Sequence, residues 1–332
     1  MRKVKTKKLF LLFRIVYILD RPLIKQGFRD RLLKTTVSWL SIIDSGIQLT
    51  AFKWQLLLNK QDAQHVWGFC EMSNLKRTLE ESVVRAMDGR DKELFPFLPY
   101  IFQDMWELGT SPETVTGLIR KHLTKRSGVS FLDLGCGKGA VSVKVAKEFG
   151  YKCLGVGAVE EFIKEARRKA EEFEVSDICK FKKGDIREEV KGYKDLDIVL
   201  LGSIGPVLGD YFSTLTALSE VVKRDGIVII DDGCIEDSSD FTHNSVQKRI
   251  DVTRQIRDSG MMVVDEVFVS REEIEGTEKG IFSKISRRCL ELAEKYPDKM
   301  ELFMDYVESQ KEEGALLGNE IICSTMVLRE KM

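Results

Sequence analysis

The spacing of apolar residues changes along the chain, and the change divides it. From about Leu75 the apolar positions Leu79, Val83, Val84 and Met87 recur every three or four residues, which predicts an amphipathic helix. A further apolar stretch, 94–108, is rich in aromatics. Ser111-Pro112-Glu113 marks a helix start: a serine to cap free amides, a proline for the first turn and an acid facing the dipole. That helix is predicted to run to about Lys125. Beyond it come short apolar runs at 129–134, 153–156, 179–182, 198–201, 227–230, 262–269 and 321–328. Helical stretches at 139–149, 160–173, 211–222 and 247–258 separate the earlier runs. Strands alternating with helices predict a parallel sheet covered on both faces. Residues 271–318 hold two helical patterns before the last run and predict a lid or side wall.

The first seventy residues follow no such period. Residues 1–60 carry 13 Lys/Arg against 3 Asp/Glu, a net of +10, while the remainder carries 39 against 50, a net of −11. The opening MRKVKTKKLFLLFRIVYILD has a basic head and an apolar stretch from Leu9 to Leu19, broken by Arg14 and closed by Asp20, with no small-residue cleavage site after it. That stretch is too short to span a bilayer as a helix, which takes about 20 residues. An interfacial helix attracted to anionic lipid or phosphate is the functional reading. Met72 opens what reads like the natural beginning of a soluble helical segment. Residues 1–70 are therefore a basic amphipathic extension, either outside the native structure or a loosely attached arm, and membrane contact is expected only through residues 1–60.

At 332 residues the chain has room for about two domains, or one large domain with an appendage. The expected organisation is the extension, a helical cap over 71–128, and an α/β domain over 129–332 with the helical insertion at 271–318. Apolar residues at 43%, charged residues at 32% and only 6 prolines exclude a disordered or collagen-like chain. The 7 cysteines are scattered and form no CxxC pair, which argues against a disulfide framework or zinc site and for a reducing, cytoplasmic setting. His65, His122 and His243 have no ligand spacing, so a histidine metal centre is not expected.

The chemistry concentrates in FLDLGCGKG, residues 131–139, which places Asp133 and three glycines between the first strand and a helix. Gly135, Gly137 and Gly139 permit positive φ and let a ligand approach the backbone. The dinucleotide spacing GxGxxG is absent, and no phosphate loop is present because Gly139 follows Lys138. Three further segments follow in order: FKKGDIRE at 181–188, DIVLLGSIGPV at 197–207, and VVKRDGIVIIDDG at 221–233.

Taken together these segments resemble the class I S-adenosylmethionine-dependent methyltransferases, in particular the small-molecule type, over about Leu132 to Leu328. The resemblance implies a Rossmann-like, seven-stranded mixed sheet with helices on both faces, an N-terminal helical cap and a helical insertion before the last strand. It implies S-adenosyl-L-methionine as cofactor. Asp133, Gly135, Cys136, Gly137 and Gly139 would meet its methionine and adenosine parts, with Cys136 a small packing residue. Asp185 would accept from the adenine amino group, with Ile186 beside the ring. Gly202 and Ser203, in the loop after the fourth strand, would face the methyl group.

One position departs from the family. An acid usually ends the second strand and binds the ribose hydroxyls, whereas this chain has Gly157-Ala158 there. Glu160 or Glu161 would be a substitute, although a solvated first helical turn is the simpler reading. Gly157 keeps open a non-catalytic, cofactor-binding regulator, and the basic arm keeps open a membrane-associated lipid methyltransferase. Asp231 and Asp232, with Glu236, Asp237 and Asp240 beyond, have the oxygen chemistry for magnesium; an acid is missing after the fourth strand, so no metal is expected. The aromatics Phe95, Phe97, Tyr100, Phe102 and Trp106 are expected to pack more than to recognise substrate. His122 is expected to be a dipole-complementing surface residue. The loop Gly202-Ser203-Ile204-Gly205-Pro206 lacks the Asn/Asp-Pro-Pro-aromatic run of DNA-base methyltransferases, and the body is acidic, so nucleic acid is disfavoured as partner. The expected activity is methyl transfer to a small molecule, with the catalytic residues, the acceptor atom and the oligomeric state left open.

Overall fold

The structure, a computed structural model, describes residues 77–124 and 127–331. The chain divides into two units, Met1–Cys70 and Glu71–Met332, and every described residue lies in the second. The amphipathic reading of residues 1–70 lies outside the described residues.

The seven apolar runs become seven strands of one sheet: β1 Ser130–Leu134, β2 Lys152–Gly157, β3 Cys179–Lys183, β4 Leu196–Gly202, β5 Val222–Ile235, β6 Met261–Phe268 and β7 Ile321–Glu330. Their order is β3-β2-β1-β4-β5-β7-β6. The first five are mutually parallel, and β7 runs antiparallel between β5 and β6. Side chains alternate between the faces, so neighbouring residues enter different cores. Phe131, Ile198, Ile227 and Val327 join one apolar layer; Leu132, Val199, Val228 and Leu328 join the other.

Among the described residues ten α-helices accompany the sheet. α1 (Leu79–Ala86), α2 (Leu98–Ile101) and α3 (Pro112–His122) precede it. α4 (Ala140–Phe149), α5 (Glu160–Glu172), α6 (Ile186–Glu189), α7 (Tyr211–Ser219) and α8 (Arg249–Asp258) connect strands. α9 (Arg271–Lys295) and α10 (Met300–Asn319) form the insertion. α3, α4 and α5 cover one face, and α6, α7 and α8 the other.

A third apolar core builds a roof. It unites Val84, Leu94, Leu98, Ile101 and Phe102 with Val159 and Phe162 of α5 and with Ile285, Cys289, Phe303 and Tyr306 of the insertion. Burying such side chains stabilises by about 1.5–3 kcal/mol each, so apolar contact holds the insertion to the helices before the sheet. Surface pairs add little, including Asp104 with Arg287 and Arg288 at 2.6 and 2.7 Å. The aromatics pack as expected: Phe97 meets Phe303 edge-on at 4.9 Å and Tyr296 at 5.5 Å.

Several boundaries differ from the sequence expectation. The aromatic stretch is a 3-10 turn, Lys92–Phe97, followed by the short α2, where Pro96 and Pro99 have no amide hydrogen to donate to a continuous helical ladder. β5 extends well past its apolar run because Asp231–Ile235 still pair with Thr325–Ile321 of β7. His122 is not a solvated surface residue: its Nε2 lies 2.6 Å from Asp265 Oδ2 of β6, with the ring 17% exposed. Among the described residues no helix is long and apolar enough to cross a membrane.

Candidate active site

The carboxyl ends of β1 to β4 converge, which is where open α/β sheets bind ligands. Gly135, Gly137 and Gly139 all take positive φ, at 85°, 50° and 76°. This left-handed backbone lets the chain leave β1, double back and enter α4 within a few residues. The amides of Gly135 and Cys136 both donate to the Val156 carbonyl, at 2.9 and 3.0 Å, and lock the turn against β2. Gly157 stands beside it: a Cβ built there would lie 3.4 Å from Cys136 Sγ and 3.9 Å from Gly137 N. Gly184 N donates to Gly157 O at 3.0 Å, which brings the end of β3, with Asp185 and Ile186, to the same place. Gly202 and Ser203 complete the group, and Ile204 next to them covers Gly135. All the expected residues therefore lie around one turn, Ala158 included, as the residue between Gly157 and α5.

Polar side chains fix this assembly. Asp133 is buried and accepts from Ser142 Oγ at 2.6 Å; burial pushes its carboxyl up to about 6 despite that bond. Burial also raises the Cys136 thiol well above its usual range, which leaves it a packing group. Asp185 caps α6 by accepting from Arg187 N, and it receives the Arg187 guanidinium at 2.9, 3.0 and 2.5 Å. Burial works to raise its carboxyl, and the Arg187 bonds outweigh it, so the group sits below the usual carboxylate range. Arg187 Nη1 also donates to Arg77 O at 3.0 Å and Ser82 Oγ at 3.1 Å, tying α1 to the Asp185 corner.

The sequence reading missed further anchors. Lys138 is buried, and its Nζ donates to the carbonyls of Phe102 and Met105 at 2.6 and 2.7 Å. Trp106 Nε1 donates back to the Lys138 carbonyl at 3.0 Å. This lysine clamps the segment before α3 onto the glycine turn. Thr110, also buried, meets Ser203 Oγ at 3.1 Å; Ser203 Oγ donates to Asp231 Oδ2 at 2.6 Å, and Thr325 Oγ1 donates to Asp231 Oδ1 at 2.8 Å. Gly202 has no room for a side chain, since its Cβ would strike Thr110. The signals available were Gly109 and the unusual Lys inside the glycine run.

The residues fit an adenosyl ligand in part. The turn offers main-chain approach, and Asp185 supplies an acceptor with its guanidinium partner beside it. The ribose end lacks its usual acid, and Glu160, in the first turn of α5, lies 3.9 Å from Arg167. Asp231 and Asp232 point to opposite faces of β5, toward Ser203 and toward Tyr211 respectively, so they cannot share an ion. Among the described residues no group of three ligating side chains is placed to hold a metal.

Comparison with known proteins defines the class. A family model described as a methyltransferase domain matches residues 125–295, and the chain belongs to that family, with the class I S-adenosylmethionine-dependent methyltransferase fold. Among solved structures it resembles an S-adenosylmethionine-dependent methyltransferase from Geobacter sulfurreducens, in complex with S-adenosyl-L-homocysteine, at 18% identity and TM-score 0.60 over 71% of this chain and 98% of that one. A Thiobacillus denitrificans counterpart, with the same ligand, matches at 18% identity and TM-score 0.59 over 71% and 98%. A curated relative, ribosomal protein L11 methyltransferase of Dictyoglomus turgidum, is 28% identical over 142 residues, which is 42% of this chain. The match spans 44% of that relative's length.

Proposed function

We propose that the protein transfers a methyl group from S-adenosylmethionine to a small-molecule acceptor, under a roof built from the helices before the sheet and the insertion. The observation that carries this reading is the clamping of the roof at the site itself: Lys138 holds residues 102 and 105 over the glycine turn, and Arg187 joins α1 to Asp185. An enclosed site of this kind suits a metabolite more than a large polymer. We assign cofactor contacts to Asp133, Gly135, Cys136, Gly137, Gly139, Gly157, Ala158, Asp185, Ile186, Gly202 and Ser203.

The cofactor, when bound, supplies the electrophilic methyl. The chain's contribution is position and exclusion of water, which account for much of the barrier reduction in such displacements. Ile204 and Leu108 close over Gly135 and Gly137 with apolar side chains. Ser203 is held by Thr110 and Asp231, so the loop expected to face the methyl group is fixed before substrate arrives. No dedicated base is required of this arrangement. The described cysteines are free thiols, which supports a reducing, cytoplasmic setting.

The test is turnover of methyl-labelled S-adenosylmethionine with a cell extract separated into metabolite and protein fractions. Label appearing in a small molecule is expected. Label confined to protein would move the acceptor toward the class named by the curated relative, and binding without any turnover would make the chain a cofactor-binding regulator, the reading that Gly157 favours.

A further inference from the structure

The sheet ends in two edge strands, β3 and β6, and they are built differently. Unpaired strand edges invite pairing with another chain, and lysines are a common guard against it. β3 carries three exposed lysines, Lys180, Lys182 and Lys183. β6 carries none, and its Met262, Val263, Val264, Val267 and Phe268, with the following Val269, are each 37–52% exposed. That run holds half of the large exposed apolar side chains among the described residues. It amounts to a patch on the order of 400 Å², a size that on single chains is often functional.

The two acids of β6 do not guard it either, because both are matched within the chain. Asp265 meets Lys121 and His122 at 2.6 Å each. Glu266 meets Arg249 at 2.7 Å and accepts from Ser324 Oγ at 2.7 Å. The pairing with β7 slips at Val264 and is regular from Asp265 to Phe268, so a straight segment remains after the bulge. Val269 N donates to Cys323 O of β7 at 3.0 Å. Hydrogen-bonding direction alternates along an antiparallel strand, so Val267 and Asp265 also face β7, while Phe268 and Glu266 turn their amides and carbonyls outward. Glu266 N accordingly bonds Asp265 Oδ1, at 3.0 Å, rather than β7.

We propose that β6 pairs antiparallel with β6 of a second copy of this chain, about a two-fold axis at Val267, and so joins two sheets edge to edge. An axis there sets Glu266 opposite Phe268 in both directions. Those are the residues whose backbone groups face outward, so each pair exchanges both of its N–H···O bonds. Asp265 then lies opposite Val269, and Val267 opposite itself, so no acid faces an acid. A two-fold contact of this kind uses the same patch on both copies and closes at two. A strand pair with apolar flanks of this size lies at the small end of specific interfaces, so the dimer is expected to be weak, with Kd in the micromolar range. β7, β5 and β4 separate β6 from the glycine turn after β1, so the pairing stands or falls without the proposed activity.

The test is sedimentation velocity of the full chain from about 1 to 100 μM, a span that brackets a micromolar Kd. Wild type is expected to pass from one chain to two across the series. Val267→Lys puts a lysine opposite a lysine across the axis and repeats the guard found on β3; it is expected to weaken association at least tenfold. Leu290→Lys, at an exposed apolar position of α9 outside the patch, is expected to leave association unchanged. Hydrogen exchange of wild type needs no variant: peptides spanning 262–269 are expected to exchange more slowly at the high end of the series than at the low end. The proposal is overturned if the full chain stays a single chain throughout, which would leave the edge to a different occupant. It is also overturned if the two variants weaken association alike, if Val267→Lys dimerises as wild type does, or if exchange over 262–269 is independent of concentration.

Discussion

Gly157 occupies the place where class I methyltransferases usually hold the ribose hydroxyls, and Gly157→Asp restores the missing acid. The backbone accepts it, since Gly157 is not among the residues with positive φ. A Cβ there would lie 3.2 Å from Ile163 Cδ1 and 3.4 Å from Cys136 Sγ. The tighter contact is with the free end of a flexible side chain, which can yield by a few tenths of an ångström. Hydrogen bonds from the two hydroxyls to a carboxylate contribute about 1.5–3 kcal/mol each. Ordering the new side chain and displacing Ile163 cost on the order of 1–2 kcal/mol together, and the Asp185 carboxylate adds like charge. A net gain of about 1.5–3 kcal/mol corresponds to roughly ten- to hundredfold tighter binding. Calorimetric titration of S-adenosylhomocysteine into wild type, Gly157→Ala and Gly157→Asp separates the added methyl from the added charge. If Gly157→Asp binds no more tightly than Gly157→Ala, the ribose is held by another group, and Glu160→Gln becomes the next variant to test.

Lys138→Met removes two charge-assisted bonds and leaves two carbonyls without their donor; the relief of ammonium burial offsets part of that, for a net loss of about 2–3 kcal/mol. Calorimetry should show a lower Tm together with weaker cofactor binding, and an unchanged Tm would deny the clamp. Asp133 should make stability fall as pH rises. Its folded carboxyl, pushed up to about 6, lies above the usual 3.8, so the fold prefers the protonated form. The associated cost is absent below pH 3.8, grows as pH rises toward 6 and is complete above it, at about 3 kcal/mol. Urea unfolding of Asp133→Asn against wild type should thus show a difference that widens between pH 4 and 6 and then levels; a difference independent of pH would refute it. Ser203→Ala should raise the cofactor KM severalfold with little change in Tm, because it cuts the link between Thr110 and Asp231 at a partly exposed site; a large Tm loss instead would make Ser203 a structural strut.

The sheet was legible because its two faces carry apolar residues on neighbouring positions: Phe131 and Leu132, Ile198 and Val199, Ile227 and Val228. The glycine turn was legible because Gly135, Gly137 and Gly139 need the left-handed backbone that their spacing advertises. The extent of β5 was not, because Asp231, Asp232 and Gly233 are polar or small and are strand residues only through pairing with β7. Lys138 and Arg187 were not, since their partners are carbonyls and side chains 33 to 110 residues away in sequence. Asp231-Asp232 is a different case: adjacency alone would suggest a shared metal, which was not expected for want of an acid after the fourth strand, and strand pleating sends the two carboxylates to opposite faces.

The polar anchors also show how the roof is tied to the site. The segment before the sheet is fastened at three strand ends by bonds specific to the site: Arg77 and Ser82 through Arg187 at the end of β3, Phe102 and Met105 through Lys138 at the turn after β1, and Thr110 through Ser203 after β4. Moving that segment would strand the buried Lys138 ammonium and Thr110 hydroxyl, which costs more than losing apolar contact of the same extent. α9 and α10 join the roof through apolar side chains such as Ile285, Cys289 and Phe303 and through hydrogen bonds of their own: Tyr306 OH and Gln310 Nε2 donate to the Met87 carbonyl at 2.8 and 3.2 Å, and Ser309 Oγ donates to the Asp88 carbonyl. Both halves of the roof are thus fastened by polar bonds, and of the two it is the segment before the sheet that bonds directly to Lys138, to Asp185's partner Arg187 and to Ser203.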